Sequence, residues 1–570
     1  MTDTLTYDVV VLGTGAAGLT AALSASAHGA SVGIFEKAPT VGGTTAVSGG
    51  VVWLPLHDKP DAHGPLTRED AVRYLSSLSL GLMDDELIST FVDEGQPMVD
   101  FVEANSPVRF DVADGFPDYY PEKPGGRPHG GRSLNPRPFA FAELGAWANK
   151  VTAFPVDSMT FGFDVETQQR LRLQTSERVV EELAAVDGRF MGAGLIGGLL
   201  RALLDRGITP HLDSPADELI VTDGRVGGVL VEQHGARISV TARKGVVIAT
   251  GGFEWNDHFV KTFLRGPMNG AVSPPFNTGD GLRMAMSAGA DLGTMGDAWW
   301  VPIIQVPDDE FLGRKRSRSI RLERTRPRSI MVNVRGERFA NEAMNYNSLG
   351  TAFHEFDLTE FAYRNIPAWL VIDDVHLRRY GFLGVPPGGE PLDWFNASDS
   401  LDELAQRAGI RLSTLKSTVQ RWNTNVAEGR DPDFHRGESV HDGWWGDWAG
   451  ETPAARTLGP IDTPPFYAVP VTVGALGTKG GPRTDPNGKV LHVDGHPIEG
   501  LYAAGNAMAG VTALAYGGAG GTIGPAMVFG FLAGRDAART RTASRSEPAA
   551  QSTDRDPEES GRPAKTITKG

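Results

Sequence analysis

The residues Gly13-Thr14-Gly15-Ala16-Ala17-Gly18 follow an apolar run, Asp8 to Leu12, and open a helix-forming stretch, Ala21 to His28. Glycines at this spacing let the backbone turn tightly and approach a ligand, so that peptide N–H groups and a helix N-terminus face a pyrophosphate. A second apolar run, Ser31 to Glu36, ends on a carboxylate 18 residues after Gly18, where an acid accepts from adenine-ribose hydroxyls. A glycine-rich turn alone would give the same letters. Strand, turn, helix and acid in register are a specific sign of nucleotide binding. Directly after the acid come Gly42-Gly43-Thr44-Thr45 and Ser48-Gly49-Gly50. A nicotinamide cofactor has no need of this second glycine-hydroxyl segment, whereas a long FAD running across the domain does. Asn277-Thr278-Gly279-Asp280 and Gly505-Asn506 add further polar and backbone contacts. Neither His nor Cys occurs between Thr44 and Gly50, so the expected FAD is non-covalent. The chain has no cysteine, which removes thiolate metal sites and iron–sulfur clusters, and no metal is expected.

These residues need a frame. Gly245-Val246-Val247-Ile248-Ala249-Thr250-Gly251-Gly252 and Gly500-Leu501-Tyr502-Ala503-Ala504-Gly505-Asn506 are apolar strands ending in glycines, suited to a parallel sheet covered on both faces. The stretch from about Ala298 to Pro465 is richer in Trp, Arg and Asp and includes a plausible strand pair, Ser329 to Phe339, turning at Arg335-Gly336. The expected fold class is α/β, a Rossmann-like FAD-binding domain (1–297 and 466–540) with an inserted α+β catalytic domain (298–465). A disordered tail, 541–570, is expected from its Ser, Pro, Arg, Asp and Glu. At 570 residues with 40% hydrophobic content the chain is long enough for two domains. Its net charge of −16 argues against nucleic-acid or anionic-membrane binding. Met1 to Thr6 is short and polar, predicting no secretory leader, and no run approaches the ~18 apolar residues of a membrane helix. A cytoplasmic protein is expected, with at most peripheral membrane contact.

At this point the chain resembles the FAD-dependent superfamily of fumarate reductase flavoproteins and 3-ketosteroid dehydrogenases, from the N-terminus to about Ala538. Four stretches resemble 3-ketosteroid Δ1-dehydrogenases in particular: Phe116–Tyr120, Gly336–Tyr346, Leu476–Gly481 and Tyr516–Met527. The resemblance implies a FAD-dependent oxidoreductase of steroid metabolism and lipid degradation. It would form a C=C bond beside a ring ketone by moving an α-proton to a tyrosine and a β-hydride to flavin N5. It places the catalytic tyrosines at Tyr119, Tyr346 and Tyr516, the ketone-binding backbone N–H at Gly520, and flavin contacts also at Lys37, Gly251 and Ile523. A ketone polarised by Tyr516 and Gly520 needs donors where enolate charge develops. Tyr346 is then the base and Tyr119 its partner, with Tyr120 a neighbour that could take the partner's role. The implied partners are an apolar cyclic ketone and a quinone-like electron acceptor.

Two features depart from the family. The turn after the third tyrosine, usually proline-bearing, reads Gly517-Gly518-Ala519, and the stretch from about Pro138 to Phe190 is long, as for a lid or pocket wall. A desaturase of cyclohexanone-type rings is therefore a rival. A fumarate-reductase-like enzyme would need an Arg and His cluster. Arg314, Arg316, Arg318, Arg321 and Arg324 could supply it, but the segment reads as a solvated surface. A flavin scaffold or sensor without turnover would not need three tyrosine hydroxyls. His435 reads as ordering a loop. Trp299-Trp300 and Trp444-Trp445 could line a pocket, but aromatic pairs more often pack in a core.

Overall fold

A computed structural model describes residues 4–153 and 185–540. The expected tail lies outside them, as does the middle of the 138–190 stretch. Strand β1 (Thr4–Leu12) leads into helix α1 (Ala16–Ala27) and β2 (Val32–Phe35). Then come β3 (Ala216–Thr222), β4 (Arg225–Gln233) and β5 (Ala236–Ile248). A third group is β6 (Ala298–Ile304), β7 (Arg318–Ser319), β8 (Ser329–Asn333), α2 (Tyr346–Ala352), β9 (Ala368–Asp373), β10 (Asn396–Ser398) and β11 (Phe466–Thr478). Last come β12 (Lys489–Leu491), β13 (Pro497–Ala503) and α3 (Ile523–Arg539).

The first sheet has the order β2-β1-β5-β13-β12, with β3 and β4 continuing from β5. Its centre is parallel, Val10 facing Gly33 on one side and Val246 on the other, and Val247 facing Tyr502. Pieces from the start, middle and end of the chain therefore meet at one carboxyl edge, where α/β folds bind ligands. Helix α3 lies on α1 through Gly530 and Gly534. A Cβ there would stand 2.5 and 2.2 Å from the Ala17 and Ala21 carbonyl oxygens, so only glycine lets the two backbones approach so closely.

The second sheet is antiparallel, β7-β6-β11-β9-β8 with β10 on β11. It is covered by apolar clusters around Trp300 and Tyr467 and around Trp422. Residues 466–478, expected to resume the FAD-binding frame, instead form β11 at the heart of this sheet, between β6 and β9. The expected pair around Ser329–Phe339 is also different: β8 takes β9 as its neighbour, and the return makes one bridge, Val332 to Arg338. Arg338 is drawn into ion pairs with Glu342 and Asp431 instead of extending a strand. Both sheets lie in one compact unit ending at Thr540. Among the described residues no helix is long and apolar enough to cross a membrane.

Candidate active site

A cavity of about 1390 Å³ opens at the carboxyl edge of the first sheet. Its shape begins with glycines. Gly13 has φ +103°, and a Cβ there would lie 2.4 Å from the Ala249 oxygen; at Gly18 it would lie 2.1 Å from the Gly13 oxygen. These two press the turn against β5 and α1. At Gly15 a Cβ would meet only Thr45 Oγ1, at 3.7 Å, and at Gly43 nothing within 4 Å. Both border the cavity, leaving bare backbone where a pyrophosphate would lie. The residues present thus fit a dinucleotide.

Of the residues expected to touch the flavin, Gly13, Gly15, Ala16, Ala17, Glu36, Lys37, Gly43, Thr44, Thr45, Ser48, Gly49, Gly50, Gly251, Asn277, Asp280, Gly505, Asn506 and Ile523 line the cavity. Gly18, Gly42 and Gly279 stand behind the wall. Gly42 donates its N–H to Thr14 Oγ1 at 3.0 Å, and Gly279 begins the helix Asp280–Ser287. Glu36 accepts from Thr14 N (2.9 Å), Thr14 Oγ1 (2.5 Å) and Ala38 N (2.9 Å), so it also fixes the glycine turn. Burial pushes its carboxyl pKa up. Lys37 pairs with Asp280 at 2.8 Å. Asn277 Nδ2 donates to Thr44 Oγ1 and to buried Glu254, and Trp299 Nε1 donates to Asn506 Oδ1. The N-terminus of α3 reaches the cavity at Ile523, adding its positive dipole end.

The three tyrosines come from three separate segments and line the same cavity. Tyr119 sits in a loop. Tyr346 begins α2, where Asn345 accepts from Ser348 N at 3.0 Å. Tyr516 lies in the glycine turn before α3. All are buried, and their ring centroids stand 5.5 Å (Tyr119–Tyr346), 5.1 Å (Tyr119–Tyr516) and 5.4 Å (Tyr346–Tyr516) apart. The Tyr516 hydroxyl is 2.9 Å from Thr522 Oγ1. Tyr120 stays outside the trio, its hydroxyl hydrogen-bonded to Ser348.

Trp53 explains the departure in the glycine turn. A Cβ at Gly517 would lie 2.6 Å from its indole, and one at Gly518 2.3 Å from Nε1, so no proline fits. Trp53 Nε1 also donates to Asp118 (2.9 Å), which pairs with buried Arg132 at 2.6 Å. Tyr119 N and Tyr74 O–H both donate to the Gly517 carbonyl. The Tyr119 loop and the Tyr516 turn are thereby tied together. Gly520 has φ +97°, and a Cβ there would lie 2.4 Å from the Val51 oxygen. Among the described residues its N–H has no matched acceptor.

Burial raises the pKa of all three phenols, and in each case the Arg321 charge works in the opposite sense. The Arg321 guanidinium stands 4.7 Å from the Tyr346 ring centroid and lines the cavity. This corrects the surface reading for Arg321, whereas Arg314 is exposed as that reading expected. Arg316 and Arg324 are buried, Arg316 pairing with Asp309 and Arg324 donating to the carbonyls of Ile320 and Met344. Close-set arginines look solvated in sequence; here Asp309 and the backbone carbonyls of Ile320 and Met344 receive them. His435 is exposed and bonded to Glu438. His441, which drew no attention in the sequence, packs 5.0 Å from Tyr119, and burial lowers its pKa to about 3, so it is neutral. Trp444 and Trp445 line the cavity and pack on Phe116, whereas Trp300 is core. Arg321, Thr522, Trp53 and Thr14 are residues of the site that received no role from the motifs. Thr14 lies inside the fingerprint and Thr522 inside the Tyr516–Met527 stretch, so both had a local signal; Trp53 had none.

Residues 8–523 match the family described as FAD binding domain. The chain is 39% identical to 4-oxocyclohexanecarboxylate 2-dehydrogenase of Sinomonas cyclohexanicum, over 93% of this chain and 92% of that protein. It is equally, 39%, identical to 3-oxosteroid 1-dehydrogenase of Mycobacterium tuberculosis, over 92% of this chain and 97% of that one. The crystal structure of 3-ketosteroid delta1-dehydrogenase from Sterolibacterium denitrificans, in complex with 1,4-androstadiene-3,17-dione, superposes with a TM-score of 0.83 at 34% identity, covering 94% of this chain and 99% of that one.

Proposed function

The chain belongs to the FAD-binding dehydrogenase family that includes the 3-oxosteroid 1-dehydrogenases, and on that premise we propose that it removes two hydrogens beside a ring ketone, with Δ1-desaturation of 3-oxosteroids as the type reaction. The observation that carries this reading is the meeting of three buried tyrosine rings, 5.1–5.5 Å apart, in the cavity that the dinucleotide frame also lines.

Bound FAD supplies the hydride acceptor. The residues do the rest. Tyr516 O–H and Gly520 N–H donate to the ketone oxygen, where negative charge grows as the α-proton leaves. Tyr346, ionised beforehand to the phenolate, takes that proton and becomes a phenol, with Tyr119 as its partner. Arg321 lowers the cost of the phenolate charge. Trp444, Trp445 and Phe116 present an apolar wall to the hydrocarbon and exclude water. We read the flavin as non-covalent, the acceptor of its electrons as quinone-like, and the protein as cytoplasmic.

A smaller cyclic ketone is the second reading, favoured by the equal likeness to the cyclohexane-ring relative. Anaerobic titration of the oxidised protein tests both. Bleaching of the flavin by androstenedione supports the steroid, and bleaching by cyclohexanone alone supports the small ring. Bleaching by neither sinks the dehydrogenation reading.

A further inference from the structure

The stretch Leu476–Gly481 carries a lysine to which the proposed chemistry gives no task. Lys479 directly follows β11, and its side chain is fully buried, a rare place for an ammonium. The three N–H bonds of that group are all spent. One goes to Asp297 Oδ2 at 3.1 Å, and two go to the carbonyls of Leu514 and Ala515 at 2.9 and 3.3 Å. These carbonyls come immediately before Tyr516, in a stretch, 508–522, that forms neither helix nor strand. The same ammonium stands 4.4 Å from the centre of the Trp299 ring, a cation–π contact. Trp299 in turn packs edge-on against Tyr516, centroids 4.8 Å apart, and donates to Asn506 at 3.0 Å. Lys479 therefore reaches Tyr516 along two routes, its backbone and its ring.

Hydrogen-bond satisfaction does not by itself require the charge. Asp297 also accepts from Trp300 Nε1 at 2.6 Å, the Leu514 carbonyl from Asn347 Nδ2 at 3.4 Å, and the Ala515 carbonyl from Thr512 Oγ1 at 3.1 Å. A buried ion pair is also a weak source of stability, because desolvation offsets the attraction. What the ammonium adds is a joint: one point that fixes Asp297, two carbonyls and an indole face relative to one another. We propose that Lys479 is a positioning residue for Tyr516, setting the direction of the phenol that donates to the ketone oxygen. The inference rests on the reading of Tyr516 as that donor and adds the residue that aims it.

The test is a double-mutant cycle read by anaerobic flavin reduction of the FAD-loaded full chain, with androstenedione and with cyclohexanone. Lys479→Met keeps the length of the stem and removes the charge and its donors. It should lower the limiting rate about 10- to 100-fold, the cost of a displacement of about 1 Å. FAD affinity and reduction by dithionite should stay unchanged, since neither uses the ketone donor. In a chain already carrying Tyr516→Phe the same change should cost less than about twofold, because the hydroxyl it aims is gone. Equal losses in the two backgrounds would mean that Lys479 only supports the fold, and would overturn the inference. An undiminished rate in Lys479→Met alone would overturn it too. Lys479→Gln, run through the same cycle with the same criteria, decides the matter if the methionine variant does not retain FAD. Should Tyr516→Phe by itself leave the rate unchanged, the reading of Tyr516 as donor falls and the inference with it. Reduction of the wild type by neither ketone removes the dehydrogenation reading as well.

Discussion

Tyr119, Tyr346 and Tyr516 are buried together, and burial holds each phenol above its ordinary pKa. At neutral pH the phenolate is then a minor form. The sign follows: where Tyr346 must accept a proton, the active fraction grows about tenfold per pH unit below its pKa. Flavin reduction by a ring ketone should therefore rise with pH into the alkaline range, and a flat profile would remove Tyr346 as the base. Tyr346→Phe leaves nothing to take the α-proton, so both turnover and exchange of that proton with deuterated water should stop. Tyr516→Phe removes one of two ketone donors, and should cost on the order of 10²–10³ in turnover with exchange still detectable. Tyr119→Phe should slow the reaction less, since it removes only the hydroxyl beside the base; because Tyr119 helps to hold the Tyr346 phenol up, the pH profile should not move upward, and an upward shift would show that Tyr119 eases its ionisation.

The cavity's side chains are held by the elements packed behind and beside them. Trp53 fills the space beneath Gly517 and Gly518. Gly517→Ala drives a methyl into the indole, an overpacking of about 1–3 kcal/mol, and should slow flavin reduction by displacing Tyr516. Trp53→Phe in the same chain should recover part of the loss, because the two changes share one contact. Unchanged rates in Gly517→Ala would show that the turn is loose. The short helix Val440–Trp444 carries cavity-lining Trp444 and is anchored by Asp442, which accepts from Asn341 Nδ2 and Gly437 N, both at 2.9 Å. Burial pushes the Asp442 pKa up to about 6. A folded pKa above the unfolded one contributes stability that is full below about pH 4 and lost as pH rises through about 6. The size is roughly 3 kcal/mol. The stability difference between wild type and Asp442→Asn should change by about that amount across this window, read by denaturant unfolding at each pH; a constant difference would contradict it.

On the scale of the molecule, the cavity is a joint. β1, β5 and β13 bring one wall of it together, and the turn before α3 and the tyrosine segments bring the other. Filling it with FAD should stabilise the native chain by mass action, so Tm should climb with the logarithm of free FAD concentration. Glu36→Ala should shrink that climb, since Glu36 is tied to Thr14 and so holds the glycine turn. Because nothing between Thr44 and Gly50 can link to the flavin, heat or acid precipitation should leave FAD in the supernatant. Flavin that stays with the pellet would mean a covalent link.

What the sequence determined by itself was local. Apolar runs, glycine spacing and the acid that ends the second strand are properties of neighbouring residues, so β1, α1, β2 and the nucleotide frame were readable from the N-terminal segment alone. The apolar runs ending at Ile248 and Ala503 likewise announced strands of a covered parallel sheet. The tyrosines were singled out through family resemblance; their convergence was not legible, because Tyr119 and Tyr516 lie almost 400 positions apart. Only the tertiary structure decided which strand β11 would pair with, because hydrogen-bonding partners depend on contacts between distant segments. It also decided the fate of the arginines. Arg321 and Arg324 are three residues apart in one charged segment, yet one borders the cavity and the other is spent on backbone carbonyls. Side-chain chemistry is written in the sequence, but the surroundings that turn a charge into a surface group, a structural tie or part of a cavity wall are assembled from the whole chain.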